Sequence, residues 1–304
     1  MNSTTTLCTT TANSTTTNSS NNSTTHGQYH PVLLAIYSVV LLIGTISLSL
    51  MMHIMKSSTT SFTSIAVLNL IFTHFIFLLT VPFRIYYYAL NRWGLNPWFC
   101  KFISAMIHVH MYMSFIFYVI ILITRLMTFY CKAEQVASMQ KVHALLGSAV
   151  VWMVVLVTTP CVIEFYYGKD KEGDTHGEKC FHFGKNINDS VQVLNHIIST
   201  LIIVVAILLT ALQANVLRVL YRKHRKGCTS QQDFGAQLKS LCFALIMVIC
   251  FIPYHVFRIY YVAKISELQN LNEVFLSLTT FNCLDMLTFL GRRTCSRCFP
   301  GKIV

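Results

Sequence analysis

Residues 100–130 read CKFISAMIHVHMYMSFIFYVIILITRLMTFY, an apolar run with a cysteine at its head and a single arginine, Arg125, near its tail. No acidic residue lies within it to neutralise that arginine. At 1.5 Å per residue the run is long enough to cross a hydrocarbon core of about 30 Å, which needs roughly 20 apolar residues. Arginine at the centre of a membrane helix costs about 2.5–3.5 kcal/mol on insertion scales, and much less at an end where the side chain reaches water. The stretch therefore reads as one span with Cys100 and Arg125 towards its two ends.

The same count applied outward gives seven spans, at about 31–55, 62–89, 98–130, 142–166, 190–221, 236–263 and 271–291. The chain has 304 residues, 54% hydrophobic and only 11% charged, so little is left for a separate soluble domain. Several blocks exceed the minimum length and carry polar residues, as tilted helices packed on one another do. No lysine or arginine precedes Lys56, and most of the 23 fall at Lys56, Arg125, Lys132, Lys141, within 218–226, at Lys239 and within 292–302. With the amino terminus outside, these positions share the cytoplasmic side, following the positive-inside rule. The reading is an all-α membrane protein: a seven-transmembrane helix bundle over 30–291, an extracellular tail over 1–29 and a short cytoplasmic C-terminal tail over 292–304. The net charge of +12 is then a topology signal. Membrane lipid is an expected partner and nucleic acid is not.

The amino-terminal tail is rich in Thr, Ser and Asn and has neither a basic segment nor an apolar core, so no cleaved signal peptide is expected. N-x-S/T acceptors at Asn2, Asn13, Asn18, Asn21 and Asn22, and another at Asn188 in the loop after span four, predict a glycosylated lumenal face. Of eleven cysteines, only Cys8, Cys100 and Cys180 are plainly external in this topology. A Cys100–Cys180 bridge is expected, pinning the longest external loop over the bundle mouth and leaving Cys8 without an obvious partner. Cys295 and Cys298 lie among Arg292, Arg293 and Arg297, a setting that suits palmitoylation beside a polybasic patch or, equally, two free cytosolic thiols.

Further pieces fall in order along the chain: LNL at 68–70, LLTVPF at 78–83, Trp93 before Cys100, Trp152 in span four, Cys180, CFIPY at 250–254 and FNCLDMLTF at 281–289. In this order and register the chain resembles a rhodopsin-like, class A G-protein-coupled receptor over about residues 30–300. The resemblance implies a receptor that transduces binding of an extracellular ligand into activation of a heterotrimeric G protein. It also exposes departures from the family pattern. Asp-Arg-Tyr is replaced by Thr124-Arg125-Leu126, the helix-two aspartate by His74, the helix-one asparagine by a segment with Thr45 close to its place, and the helix-six tryptophan by Phe251. Asn-Pro-x-x-Tyr becomes Asp285-Met286-Leu287-Thr288-Phe289, and helix five has no proline.

The family places a sodium ion at the helix-two carboxylate, with a serine that matches Ser114; an imidazole supplies no hard anionic oxygen, so sodium regulation is not expected. The resemblance sets Asp285 opposite His74, implying a histidine–carboxylate pair; a neutral His74 beside a protonated Asp285 is the alternative. It likewise sets Asp233 where the family often carries an acid that binds the helix-three arginine. That implies an Arg125–Asp233 latch; the alternative is an arginine that merely reaches water. The helix would swing about Pro253, whose missing N–H permits a kink.

Where amine receptors carry an aspartate this chain has Ile107, so a cationic amine is not expected. Helix six offers Tyr254, His255, Arg258 and Tyr261, with His255 and Arg258 three apart on one face. Arg84, His108 and Tyr112 add donors from helices two and three. Arginine is the preferred group for bidentate recognition of carboxylate or phosphate, which makes an anionic small molecule or lipid the expected ligand. In the plain alternative Arg258 reaches the interface or pairs with Glu273 in the last external loop, and the tyrosines are interfacial anchors. His110, Asn195 and His196 read as interhelical hydrogen-bonding groups. His108 and His110 point to different sides of a helix, and no metal site, phosphate-binding glycine loop or catalytic triad is read from the sequence. Neither an enzyme nor a cofactor is expected. The competing class is a non-signalling scavenger or trafficking receptor, supported by the loss of the acid beside Arg125, the tyrosine at Phe289 and the helix-seven proline. Against a transporter, no internal repeat stands out; against a light receptor, no lysine lies in 271–291.

Overall fold

The computed structural model describes residues 29–55, 62–130, 141–166, 180–181, 189–225, 231–285 and 287. Among them there is no strand. Seven α-helices account for nearly all of the described chain: α1 His30–Met55, α2 Phe62–Leu90, α3 Pro97–Tyr130, α4 Lys141–Tyr166, α5 Asp189–Arg225, α6 Gln231–Ala263 and α7 Ile265–Leu278, the last continued by a 3-10 segment, Thr279–Leu284. Helix is the form in which an apolar segment satisfies its own backbone groups without water. Five of the seven are long and apolar enough to cross a membrane, and α4 contributes a shorter apolar stretch, Leu146–Thr159.

The helices are sorted by which side their apolar residues face. On α5, Leu194, Ile197, Leu201, Val204, Leu208 and Leu212 are exposed and recur every three or four residues. A stripe of that size on a soluble protein would be an interaction or aggregation surface; on a membrane helix it is the lipid face. Helix α3 is the opposite case. From Ile103 to Met111 every residue is buried, which requires neighbours on all sides. It is the axis of the bundle, with α2, α4, α5, α6 and the 3-10 segment packed around it.

Polar cross-links fix the register between helices. Asn69 of α2 donates to Ser148 Oγ of α4 at 3.0 Å and accepts from Trp152 Nε1 at 3.0 Å. Gln213 of α5 donates to the Leu122 carbonyl of α3 at 3.1 Å. Each link satisfies polar atoms that hydrocarbon would leave unpaired. Helix α2 stops where Asn91 adopts φ 56° and its N–H returns to the Tyr87 carbonyl at 2.9 Å, the left-handed closure that asparagine tolerates.

The Cys100–Cys180 bridge is present and ties the start of α3 to the segment between α4 and α5. Phe181, next to it, has φ 65°, costly for an aromatic residue. Its ring is held at the end of the bundle by Tyr87, Tyr88 and Trp93, with centroids 5.1–5.9 Å away.

Three helix ends differ from the sequence expectation by four residues or more: α5 runs on to Arg225, α6 begins at Gln231, and α7 starts early. Helix α7 begins at Ile265, one residue after α6 ends, and not near 271. The ISELQN segment is more polar than a span, which hid it from a hydropathy count, yet Ile265 packs with Tyr261 and Val262 and continues the helix. Glu273 consequently sits inside α7 and not in a loop.

Candidate functional site

Arg84 is the bulkiest fully buried side chain among the described residues. Its Nη1 lies 3.3 Å from Glu273 Oε2 and 3.4 Å from the Tyr37 hydroxyl, and its Nη2 donates to the Ile103 carbonyl at 3.1 Å. Tyr88, one turn along α2, donates to the same Glu273 oxygen at 3.1 Å. Phe181 closes the group, with the Arg84 guanidinium carbon 4.3 Å from its ring centroid. The arrangement joins α1, α2, α3, α7 and the disulfide-bound loop around one matched charge pair. Arg84, a ligand-donor candidate in the sequence, pairs here with the protein's own carboxylate.

A second polar group lies between α5 and α6. Arg258 donates from Nε to Asn195 Oδ1 at 2.5 Å and from Nη1 to the Tyr254 hydroxyl at 2.6 Å. His255 Nδ1 meets Ser199 Oγ at 3.2 Å. Asn195 and Ser199 are four apart on α5, facing residues three apart on α6, so one helical face meets another. Tyr254 and Tyr261 are buried and point into the protein, which rules out the interfacial-anchor role for them; Tyr260, 68% exposed, is the outward-facing tyrosine of this turn. Three buried polar atoms here have no protein partner among the described residues: Asn195 Nδ2, His255 Nε2 and the Tyr261 hydroxyl. His108 of α3 is buried with Nδ1 on the Ser104 carbonyl at 2.9 Å, and Tyr112, one turn further on, is half-buried.

The middle of the bundle holds a third group. His74 Nε2 lies 3.4 Å from Oδ1 and 3.5 Å from Oδ2 of Asp285, long for hydrogen bonds but placing the imidazole beside the carboxylate. The Tyr118 hydroxyl donates to Asp285 Oδ2. On its other side His74 Nδ1 is 3.0 Å from His110 Nε2, and Cys283 Sγ lies 3.5 Å and 3.4 Å from those two nitrogens. Phe77 stacks on His110 at 4.1 Å. The 3-10 segment makes this possible: its tighter turn brings Cys283 and Asp285 to the α2–α3 side, and the Asp285 N–H closes it on the Asn282 carbonyl at 2.9 Å. Reading for ligand pairs along one helix does not find a triangle assembled from three segments.

Phe251, at the toggle position, is fully buried against Phe115 and Tyr118, with centroids 5.6 Å and 6.2 Å away. Pro253 lies two residues from it inside α6. At the other end of α3, Arg125 is half-buried and makes no ion pair among the described residues. The side chain of Asp233 lies outside the described residues, as do Phe289, Cys295, Cys298 and all six N-x-S/T asparagines.

Sequence reasoning missed Glu273 as the Arg84 partner, Asn195 and Ser199 as the Arg258 and His255 partners, and Tyr118 as the Asp285 partner. Each pairing joins residues far apart in sequence. The one local signal was the four-residue spacing of Asn195 and Ser199 on a strongly apolar helix.

Comparison with known proteins agrees with this architecture. The family described as "7 transmembrane receptor (rhodopsin family)" matches residues 47–288. "Probable G-protein coupled receptor 141" of Homo sapiens is 37% identical over 270 residues, covering 86% of this chain and 88% of that protein. "Probable G-protein coupled receptor 34" of Mus musculus is 24% identical over 276 residues, with 85% and 72% covered. "Lysophosphatidic acid receptor 6" of Gallus gallus is 24% identical over 239 residues, with 74% and 75% covered. This chain belongs to the rhodopsin family of G-protein-coupled receptors, multi-pass plasma-membrane proteins that serve as signalling receptors and not as enzymes.

Proposed function

We propose that this receptor binds an anionic small molecule or lipid from outside the cell, with Arg258 as the principal anchor, and passes the signal to a heterotrimeric G protein. The observation that carries the reading is the Arg258 group. A guanidinium has only donors, and around it stand buried polar atoms of Asn195, His255 and Tyr261 with no partner among the described residues. Buried polar groups are normally satisfied, so a set left open in one place favours a polar ligand, and carboxylate or phosphate oxygens complement arginine best. The printed name of the Gallus gallus relative, a receptor for a phosphate-bearing lipid, points the same way. Tyr112 and His108 would line the α3 side. Arg84, paired with Glu273, would support the Phe181 loop.

The basic residues at 218–226 and 292–302 favour a cytoplasmic location for those segments, and hence an extracellular, glycosylated amino terminus. Binding against α5 and α6 acts where α6 carries Phe251 and Pro253; an agonist shifts the receptor only by binding the active arrangement more tightly. At the cytoplasmic end the Arg125–Asp233 latch opens as α6 moves.

The test is G-protein recruitment in cells, measured for each G-protein class with fatty acids, single-chain phosphate lipids and nucleotides. Anionic ligands are expected to raise recruitment, and Arg258→Ala to abolish the response at unchanged surface level. Binding without recruitment by any class would transfer the protein to the scavenger reading, which the missing acid beside Arg125 favours.

A further inference from the structure

The histidine–cysteine triangle in the bundle core is not explained by ligand binding or by the helix-six switch. His74, His110 and Cys283 are all buried and offer three donor atoms within 4.8 Å of one another. We infer that these three residues form a zinc site, with Asp285 as the carboxylate that orients His74.

The geometry is specific. Tetrahedral zinc, with Zn–N of about 2.0–2.1 Å and Zn–S of about 2.3 Å, sets its ligand atoms about 3.3–3.4 Å apart for two nitrogens and about 3.5–3.6 Å for nitrogen and sulfur. The triangle here has sides of 3.0 Å between the nitrogens and 3.5 Å and 3.4 Å to the sulfur. An ion would therefore seat on this face after shifts of a few tenths of an ångström, completing its tetrahedron with one further small ligand such as water. Imidazole and thiolate are the donors that select zinc over the hard cations, which need oxygen.

The surroundings supply a second, independent argument. Zinc-bound histidines almost always donate their other ring N–H to a carboxylate or carbonyl, which fixes the tautomer and ring orientation. His74 turns Nδ1 to the triangle and Nε2 to Asp285. Asp285 is in turn held by the Tyr118 hydroxyl. Charge also balances. On binding, the Cys283 thiol releases its proton to solvent, and the dipositive ion is matched by one thiolate and the Asp285 carboxylate, so no net charge is left in the apolar core. Without metal, two imidazole nitrogens 3.0 Å apart must share one proton. The ion would fasten α2, α3 and the 3-10 segment at one point.

Because the site is buried, it fills most readily during folding, so the receptor is expressed with zinc in the medium, purified in detergent and assayed for bound metal. About one zinc per receptor is expected in the unaltered protein, falling roughly tenfold in Cys283→Ala and in His110→Phe, with Cys242→Ala as the control that keeps it. Zinc-edge X-ray absorption on the unaltered receptor needs no variant; it should show one sulfur near about 2.3 Å and two imidazoles. Loss of the ion to a strong chelator should lower the melting temperature of the unaltered receptor and leave that of Cys283→Ala unmoved. Metal-free unaltered receptor, zinc retained in both ligand variants, or a spectrum without sulfur would each overturn the assignment.

Discussion

Two arginines set into the interior near the Cys100–Cys180 end of this bundle meet opposite solutions. Arg84 is enclosed: Glu273 matches its charge, Tyr37 and the Ile103 carbonyl take further N–H groups, and Phe181 covers its face. Arg258 is half-buried and donates to the neutral oxygens of Asn195 and Tyr254, beside buried polar atoms with no partner among the described residues. The difference teaches how the same side chain becomes structural or functional. Where the fold supplies a carboxylate, arginine is a strut; where it supplies neutral oxygens, as at Arg258, the proposed reading gives arginine an anionic ligand.

The sharpest way to break the comparison is to remove the strut's partner. Glu273→Gln leaves a guanidinium buried with a neutral acceptor, and breaking a buried pair costs about 3–5 kcal/mol. The purified receptor should melt at a markedly lower temperature or fail to reach the cell surface, and exchanging both partners for apolar residues should recover much of the loss. A melting curve unchanged by Glu273→Gln would show that Arg84 is not held as described.

Arg258→Ala should do the reverse, leaving the melt nearly unchanged and weakening ligand binding. A hydrogen bond to a charged group contributes about 1.5–3 kcal/mol, so concentration–response curves should shift by about 10- to 150-fold. Asn195→Ala and His255→Phe each remove an uncharged group and leave the arginine in place, so each should shift the curve less than Arg258→Ala does. If His255→Phe exceeded Arg258→Ala, the anchor would be the imidazole and the ligand would not need to be an anion.

A third arginine extends the comparison to the other end of α3. If Arg125 is latched by Asp233, the partly exposed pair contributes about 1 kcal/mol or less, and Asp233→Asn should raise ligand-free signalling by no more than about fivefold. Arg125→Ala should abolish signalling altogether. Unchanged basal activity in Asp233→Asn would count against the latch.

How much of this could be read from the sequence follows from the range of the interactions. Helices were legible because each apolar block satisfies its own backbone, and the first four match the hydropathy count to within a residue at each end. The seventh did not, because the start of α7 is polar and is held by packing on α6. Arg258 and His255 were legible as a pair on one helical face. Their partners were not, since nothing in a single helix says which neighbour it meets. The Glu273 partner of Arg84 was hidden for the same reason, since it lies on another helix. The core triangle was invisible because its ligands come one each from α2, α3 and the 3-10 segment.

The central claim, that Arg258 and not Arg84 receives an anionic ligand, is tested most directly by equilibrium binding to purified receptor. A single-chain phosphate lipid, a fatty acid and a neutral monoacylglycerol would be compared on the unaltered protein and on Arg258→Ala. The account predicts saturable binding of at least one anionic probe, weaker binding of the neutral counterpart, and a loss of the difference between them in Arg258→Ala. Equal binding of charged and neutral probes, or anion binding untouched by Arg258→Ala, would contradict it.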